Sequence, residues 1–308
     1  MQRIHFIAIG STTMHNLAIA VSKKSSFVVS GSDNEIAEPF RTRLKANGIL
    51  PDKLGWFAER IHKGLSAVIV GSNVEKDNTE LLKAKELGLK IYSFPEFLFQ
   101  QTRSKTRIVV AGNSGKSITA AMIVFVLKQL RIDTDYLLCA SYEGIESTIK
   151  LSYESRIAVF EGDENETSAL DNRPRFHLYK PQIAALIGID LPTDNKLDKN
   201  EYLSVFSKFI DLMEVQGRLI YLNSDTNLIE MTQNLRRDIV PFGYNTANHH
   251  VSDGVYYIKT KKGDLALTVK GEQNMQYVEA ARLACKQIGV TDDQFYNAIT
   301  LFSGNKVD

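Results

Sequence analysis

The sequence has little cysteine and no excess of either charge. Its two cysteines, Cys139 and Cys285, lie far apart, and no CxxC or Cys/His cluster offers the ligands of a structural zinc site. Lys and Arg number 37 against 36 Asp and Glu, so the composition does not favour a nucleic-acid partner or an acidic membrane surface. We therefore expect a globular protein with reduced thiols and no nucleic-acid partner.

Long hydrophobic runs are also missing. The first apolar run extends only from Ile4 to Ile9, which is too short for a signal peptide, and no stretch is long enough to cross a bilayer. We expect a cytoplasmic protein with no membrane partner. A chain of 308 residues is too long for one compact core, so two domains are expected.

Short β-rich segments alternate with helical patterns along most of the chain. The predicted strands include residues 4–9, 27–30, 67–71, 90–94, 107–112, 156–162, 183–189 and 218–222, and Lys262-Gly263-Asp264 marks a later hairpin turn. Such alternation is typical of parallel sheets with helices on their faces. The polar segment 100–106 interrupts it. We predict an α/β protein with a Rossmann-like domain at 1–102 and a P-loop-type domain, its sheet mainly parallel, at 103–308.

One segment has the residues of a phosphate-binding loop. Gly112, Gly115, Lys116 and Ser117 lie between an apolar strand pattern and an apolar helix pattern. At such a junction backbone N–H groups point at an anion, the lysine reaches the β/γ-phosphate oxygens and the hydroxyl ligates Mg²⁺. Only two residues separate the glycines here, whereas the standard loop has four. We predict a nucleotide phosphate site, and a structural turn is the alternative.

Acidic residues follow two other predicted strands. Glu161, Asp163 and Glu164 come after the strand at 156–162, and this position favours a metal role over a solvated loop. Asp33 lies about 20 residues after the first glycine turn, where dinucleotide-binding domains place a ribose-binding acid. The turn lacks the G-x-G-x-x-G pattern, so a dinucleotide site is less favoured. A cap or turn role for Asp33 stays open.

Several segments together resemble the Mur ligases, which join an amino acid or peptide to UDP-linked muramic acid at the expense of ATP. They are GNSGKSI at the phosphate loop, IHFIAIGSTTMHNLAIA near the N-terminus, SGSD at 30–33, EGDENETSALDNRPRFHLYKP at 161–181, GEQNMQYVEAARLAC at 271–285 and FSG at 302–304. The resemblance covers nearly all of the chain. It is strongest to the members that attach L-alanine or a recycled tripeptide.

The resemblance implies ATP and Mg²⁺ as cofactors, and a UDP-N-acetylmuramate-type sugar nucleotide with an amino acid or peptide as partners. It implies catalytic roles for Lys116 and Glu161, and metal ligation by Ser117 and Glu161. The implied ATP-binding residues are Gly112, Asn113, Ser114, Gly115, Lys116, Ser117 and Asn274. The implied UDP-sugar-binding residues are Gly10, Ser11, Thr12, Met14, Ser32, Asp33, Gly71 and Ser72.

Six motif positions depart from the family pattern. Five of them are single residues, namely Ser11 in place of glycine, Ser114 and Gln273 in place of histidine, Asn165 in place of an aromatic residue and Tyr277 in place of asparagine, and the sixth is the pair Pro192-Thr193 in place of Asp-His. We also expect the C-terminal ligase domain, which would hold the incoming amine, to be absent. The alternative function is therefore a catalytically impaired relative that binds ATP or the UDP-sugar in a regulatory or partner-binding role.

We predict that these 308 residues alone do not ligate L-alanine or a tripeptide to UDP-N-acetylmuramate. Positioning of the reacting groups can be worth roughly 7–11 kcal/mol, so its loss should leave turnover near background. The test is incubation with Mg·ATP and both substrates, with product followed by mass spectrometry. Multiple turnovers would contradict the prediction.

Overall fold

The computed structural model describes residues 1–168, 170–191 and 198–307, which form two compact units. The first unit comprises Met1–Arg103, Ile149–Tyr153 and Asn165–Tyr179. The second comprises Ser104–Thr148, Glu154–Glu164 and Lys180–Asp308. Each unit interleaves helices and strands, so the predicted α/β fold class is confirmed.

The first unit is built on a parallel sheet of four strands in the order β2-β1-β3-β4. The strands are β1 (Gln2–Ile7), β2 (Phe27–Ser32), β3 (Ala67–Val70) and β4 (Ile91–Ser93). The helices are α1 (Thr12–Ser22), α2 (Phe40–Ala46), α3 (Thr79–Glu86) and α4 (Phe94–Thr102). Further along the chain the unit gains β7 (Ile149–Lys150) and an antiparallel pair, β9 (Glu166–Ser168) and β10 (Asp171–Pro174).

Local signals set the helix ends in this unit. The Asn78 side chain accepts hydrogen bonds from two backbone N–H groups at the start of α3, and Gly88, with φ of +65°, follows its end. Ser93 begins α4 with a capping box, in which the Glu96 carboxylate accepts from the Ser93 N–H at 3.0 Å. Each of these helices thus begins at a side-chain cap, and Gly88 lies just past the end of α3.

Six strands of the second unit form a parallel sheet in the order β13-β12-β11-β5-β8-β6. They are β5 (Thr106–Ala111), β6 (Thr134–Leu137), β8 (Ile157–Glu161), β11 (Ile183–Leu186), β12 (Arg218–Leu222) and β13 (Val240–Tyr244). The helices are α5 (Lys116–Gln129), α6 (Lys199–Asp211), α7 (Thr226–Gln233), α8 (Glu272–Lys286) and α9 (Asp292–Ile299). An antiparallel sheet of β14 (His249–Ser252), β15 (Val255–Thr260) and β16 (Gly263–Leu267) completes the unit.

Helix α5 lies at the centre of the second unit. Every residue from Thr119 to Leu127 is buried, because the helix packs against the sheet on one side and against α8 and α9 on the other. This explains why its sequence is apolar all round rather than along one stripe. The packing of these residues along most of α5 therefore fixes the position of the first turn of the helix.

The structure refines two details of the sequence analysis. Helix α4 runs to Thr102 and β5 begins at Thr106, so the polar segment 100–106 is mostly helix end and strand start. The predicted hairpin is present as β15 and β16, but its turn lies at Lys261-Lys262 rather than at Lys262-Gly263-Asp264, because Gly263 already pairs with Thr260. In the part of the chain that the structure describes, no helix has both the length and the apolar character needed to cross a bilayer.

A buried polar cluster lies inside the first unit. Glu80 and Ser32 have no exposed surface, and His5 is 1% exposed. The Glu80 carboxylate accepts hydrogen bonds from the Phe57 N–H at 2.9 Å and from the Ser32 hydroxyl, and it lies 3.3 Å from Nε2 of His5. Burial by itself raises the pKa of Glu80, but these three partners outweigh burial and bring the pKa below its usual value.

We predict that Glu80→Gln lowers the free energy of unfolding by about 1.5–3 kcal/mol at pH 7, since it removes charge-assisted hydrogen bonds. A carboxyl group whose pKa is lower in the folded state stabilises that state at pH values above its unfolded-state pKa. This stabilisation is lost as the pH falls through the folded-state pKa. The difference in unfolding free energy between Glu80→Gln and wild type should therefore become smaller at pH values below 4.5, the ordinary pKa of a glutamate side chain. Urea denaturation at pH 7 and in acid measures both.

The control is Glu86→Gln, whose side chain is 65% exposed and whose effect should stay within about 0.5 kcal/mol. A Glu80→Gln effect that is small at pH 7, or that does not change with pH, would argue against a structural role for the ionised carboxylate.

Candidate functional site

The predicted phosphate loop lies between the end of β5 and the start of α5. Gly112 and Gly115 have φ of +133° and +79°, which glycine adopts at little cost. A Cβ at Gly112 would lie 2.6 Å from the carbonyl oxygen of Gly188, so the loop runs close to the segment after β11. Ser114 is exposed, and Gly115 is the N-cap of α5. The unpaired N–H groups of the first helical turn therefore open at this loop.

The loop lysine is held by a carboxylate. Lys116 Nζ donates to Oε2 of Glu164 at 3.0 Å, and both side chains are about four-fifths covered, at 19% and 21% exposure. Burial lowers the pKa of Lys116, but the carboxylates of Glu164, Asp163 and Glu161 raise it more, and the net pKa is above its usual value. The amine is therefore positively charged at neutral pH.

The loop hydroxyl meets a second carboxylate. Ser117 Oγ donates to Oε1 of Glu161 at 2.5 Å, and Oε2 of Glu161 accepts from the Cys139 N–H at 2.9 Å. Glu161 is 2% exposed and ends β8, the strand beside β5. A hydroxyl and one carboxylate suit Mg²⁺, which takes few protein oxygens and completes its shell with water and phosphate. Within the described residues no group of three or more His, Cys, Asp or Glu could hold a metal.

The other predicted ATP-binding side chains are engaged within the protein. Asn113 Nδ2 donates to the Tyr202 hydroxyl at 2.7 Å, and its Oδ1 accepts from the Asp190 N–H at 2.9 Å. Asn274, in the first turn of α8, donates from Nδ2 to the Lys270 carbonyl at 2.6 Å. The Asn113 side chain thus ties the loop to Tyr202 and Asp190, whereas the Asn274 side chain binds the backbone just before its own helix.

Tyr277 is a site residue that the sequence analysis identified only as a departure from a motif. A Cβ added at Gly115 would overlap the ring atoms Cζ, Cε1 and Cε2 of Tyr277, so the ring lies directly on the loop glycine. Tyr277 is 7% exposed, and burial together with the Asp190 carboxylate raises its pKa. No local pattern could have shown this contact, because it depends on the packing of α8 against α5.

In the first unit, a glycine turn connects β1 to α1. The Gly10 N–H donates to Oδ2 of Asp33 at 2.8 Å, and a Cβ at Gly10 would lie 2.9 Å from that oxygen. Ser11 is the N-cap of α1 and accepts from the Met14 N–H at 3.4 Å, while Thr12 is exposed. Burial raises the pKa of Asp33, partly offset by backbone N–H donors that include Gly10. The structure brings Gly10, Ser11 and Asp33 together.

The remaining predicted UDP-sugar residues are placed differently. Met14 is 1% exposed, and the Ser32 hydroxyl points inward to Glu80. The Gly71 N–H donates to the Ile7 carbonyl at 3.0 Å, and Ser72 is half-buried beside it. Ser32 and Met14 therefore shape the base of the turn rather than present side chains at its surface.

Two other motif departures, Asn165 and Gln273, are exposed. Pro192 and Thr193 lie outside the described residues.

Comparison with known proteins finds similarity to one family. A family model described as "Mur ligase family, catalytic domain" matches residues 3–106. This segment of the chain is thus similar to a Mur ligase family domain. UDP-N-acetylmuramate–L-alanine ligase of Carboxydothermus hydrogenoformans is 28% identical over 99% of this chain and 66% of its own length. That of Desulforamulus reducens is 25% identical, over 99% of this chain and 67% of its own. The chain spans about two thirds of these Mur ligases.

Solved Mur ligase structures share the fold. The UDP-N-acetylmuramate:L-alanyl-gamma-D-glutamyl-meso-diaminopimelate ligase from Neisseria meningitides has a TM-score of 0.85 at 23% identity, covering 100% of this chain and 99% of that chain. The UDP-N-acetylmuramate-alanine ligase from Thermotoga maritima has a TM-score of 0.71 at 22% identity, covering 98% and 69%. The α/β fold of this chain, with mostly parallel sheets, is thus similar to the fold of these two solved structures.

We predict that Gly115→Ala lowers the free energy of unfolding by about 2–4 kcal/mol. An alanine would be strained at the left-handed φ of +79°, and its Cβ would also overlap the Tyr277 ring. Gly254→Ala is the matched control, since Gly254 has φ of +72° with nothing within 4 Å of the added Cβ. Its cost should be the strain alone, about 1–2 kcal/mol. Chemical denaturation compares the two, and equal costs would mean that the ring does not occupy this space.

Proposed function

We propose that this chain supplies the ATP and UDP-sugar sites of a Mur-type ligase of peptidoglycan synthesis or recycling. The observation that carries the proposal is the loop at the start of α5, where Lys116 and Ser117 adjoin the carboxylates of Glu164 and Glu161. The ligase names of the curated relatives favour this function over a dinucleotide-binding domain and over an impaired, partner-binding relative.

In the proposed reaction a muramyl carboxylate oxygen attacks the γ-phosphorus of ATP. The bond from that phosphorus to the ADP oxygen breaks, which leaves an acyl phosphate. The amine of an amino acid or peptide then attacks the acyl carbon, loses a proton and displaces inorganic phosphate. Catalysis of the first step depends mainly on positioning and on neutralising phosphate charge.

The loop residues fit the first step. Lys116 would hold β/γ-phosphate oxygens with its charged amine, and the N–H groups that follow Gly115 would hold further oxygens. Ser117 and Glu161 would ligate Mg²⁺, which would supply additional positive charge at the phosphates. Glu161 ends its strand nearly buried, so the ligand would be rigidly placed.

The turn at Gly10 is the proposed UDP-sugar site. Backbone N–H groups at the start of α1 suit the pyrophosphate, because a helix N-terminus favours anions. Asp33 fixes the turn through its 2.8 Å bond to the Gly10 N–H. The sugar nucleotide would be of the UDP-N-acetylmuramate type, and the second substrate an amino acid or peptide.

We expect Lys116→Ala to lower the affinity for Mg·ATP by about 10- to 100-fold, since it removes a charged hydrogen bond worth about 1.5–3 kcal/mol. Lys286→Ala, at a side chain 54% exposed near the end of α8, is the control and should leave the affinity unchanged. Titration calorimetry measures both. Equal affinities for wild type and Lys116→Ala, or no binding by wild type, would refute nucleotide binding at this loop.

A further inference from the structure

The Tyr277 ring fills the space where a side chain at position 115 would lie. Tyr277 lies near the start of α8, which packs against α5, and the residue is only 7% exposed. Gly115 is the residue from which the free N–H groups of α5 begin. The ring therefore takes up volume immediately beside the groups that a phosphate would contact.

The functional side chains of the loop are also taken. The Lys116 amine is paired with Glu164 at 3.0 Å, and the Ser117 hydroxyl with Glu161 at 2.5 Å. An anion that approaches the loop meets the negative charge of Glu164 where it would need the positive charge of Lys116. The glycine, the lysine and the hydroxyl of the loop are thus each occupied by a side chain of the protein itself.

Asp190 connects these contacts. Its backbone N–H donates to Oδ1 of Asn113 in the loop, and its carboxylate acts electrostatically on the phenol of Tyr277. Tyr202, which accepts from Nδ2 of Asn113, is subject to the charges of Glu164, Lys116 and Asp190. The ring, the ion pair and the loop tip consequently lie within one small region rather than at separate places on the unit.

We propose that Tyr277 and Glu164 form an autoinhibitory contact that keeps the phosphate loop closed, so that a nucleoside triphosphate binds only after the ring and the carboxylate move away. The inference rests on the proposed function, because it concerns the regulation of the same loop. A site that is open only part of the time binds with an affinity reduced by its open fraction. Removing either contact therefore raises the affinity.

Two variants open the loop by different means. Tyr277→Ala removes the ring, and Glu164→Asp keeps the negative charge but shortens the side chain by one methylene, which weakens its 3.0 Å contact with Lys116. The controls are Tyr257→Ala, on the three-stranded sheet, and Glu230→Asp, an exposed carboxylate on α7. Titration calorimetry with Mg·ATP gives the affinity, and urea denaturation without nucleotide gives the stability.

The expected result is an affinity for Mg·ATP about tenfold higher in Tyr277→Ala and about threefold higher in Glu164→Asp, with both controls like wild type. The stability of the nucleotide-free Tyr277→Ala protein falls at the same time. Opposite signs in the two measurements identify autoinhibition, since a residue needed only for structure would lower both. If Tyr277→Ala does not fold, the affinity of Glu164→Asp decides alone.

Two outcomes overturn the proposal. If wild type binds Mg·ATP and the variants bind it equally or more weakly, the loop is not held closed, and the proposed function stands. If no protein in the set binds Mg·ATP, nucleotide binding at this loop fails and the autoinhibitory contact fails with it.

Discussion

Parallel pairing of β5 with β8 and β11 is the constraint from which the candidate nucleotide site follows. Val110 pairs with Glu161, and Ala111 pairs with Leu186. The carboxyl ends of these strands meet at one edge of the sheet, so the loop after β5 lies next to Glu161 and to the segment after β11. A slip of one residue in β8 would turn Glu161 to the opposite face and separate it from Ser117.

Both units have a glycine turn after their first strand, but the two turns are stabilised differently. In the first unit, Asp33 binds the backbone N–H of Gly10 and leaves the neighbouring side chains exposed or capping. In the second unit, Glu161 and Glu164 bind the side chains of Ser117 and Lys116. The first turn is therefore held by a hydrogen bond to its backbone. The second is held by hydrogen bonds to the side chains that are proposed to contact the ligand.

The sequence predicted what depends on short-range patterns. Alternation of apolar strands with helices indicated the α/β fold and most strands, and the residues from Gly112 to Ser117 indicated the loop. It could not predict which way Ser32 points, because a strand pattern does not say which face meets Glu80. Nor could it place Tyr277 on Gly115, or assign residues 149–153 and 165–179 to the first unit, since these depend on packing between segments distant in sequence.

The close approach of Gly112 to Gly188 joins the loop mechanically to the segment after β11. The Asn113 N–H donates to the Gly188 carbonyl at 3.1 Å, and the Asn113 side chain accepts from the Asp190 N–H. Through the Tyr202 hydroxyl the same side chain is tied to α6. The phosphate loop, residues 188–190 and α6 are thus linked by direct hydrogen bonds, so the loop could move independently of the other two segments only if these bonds broke.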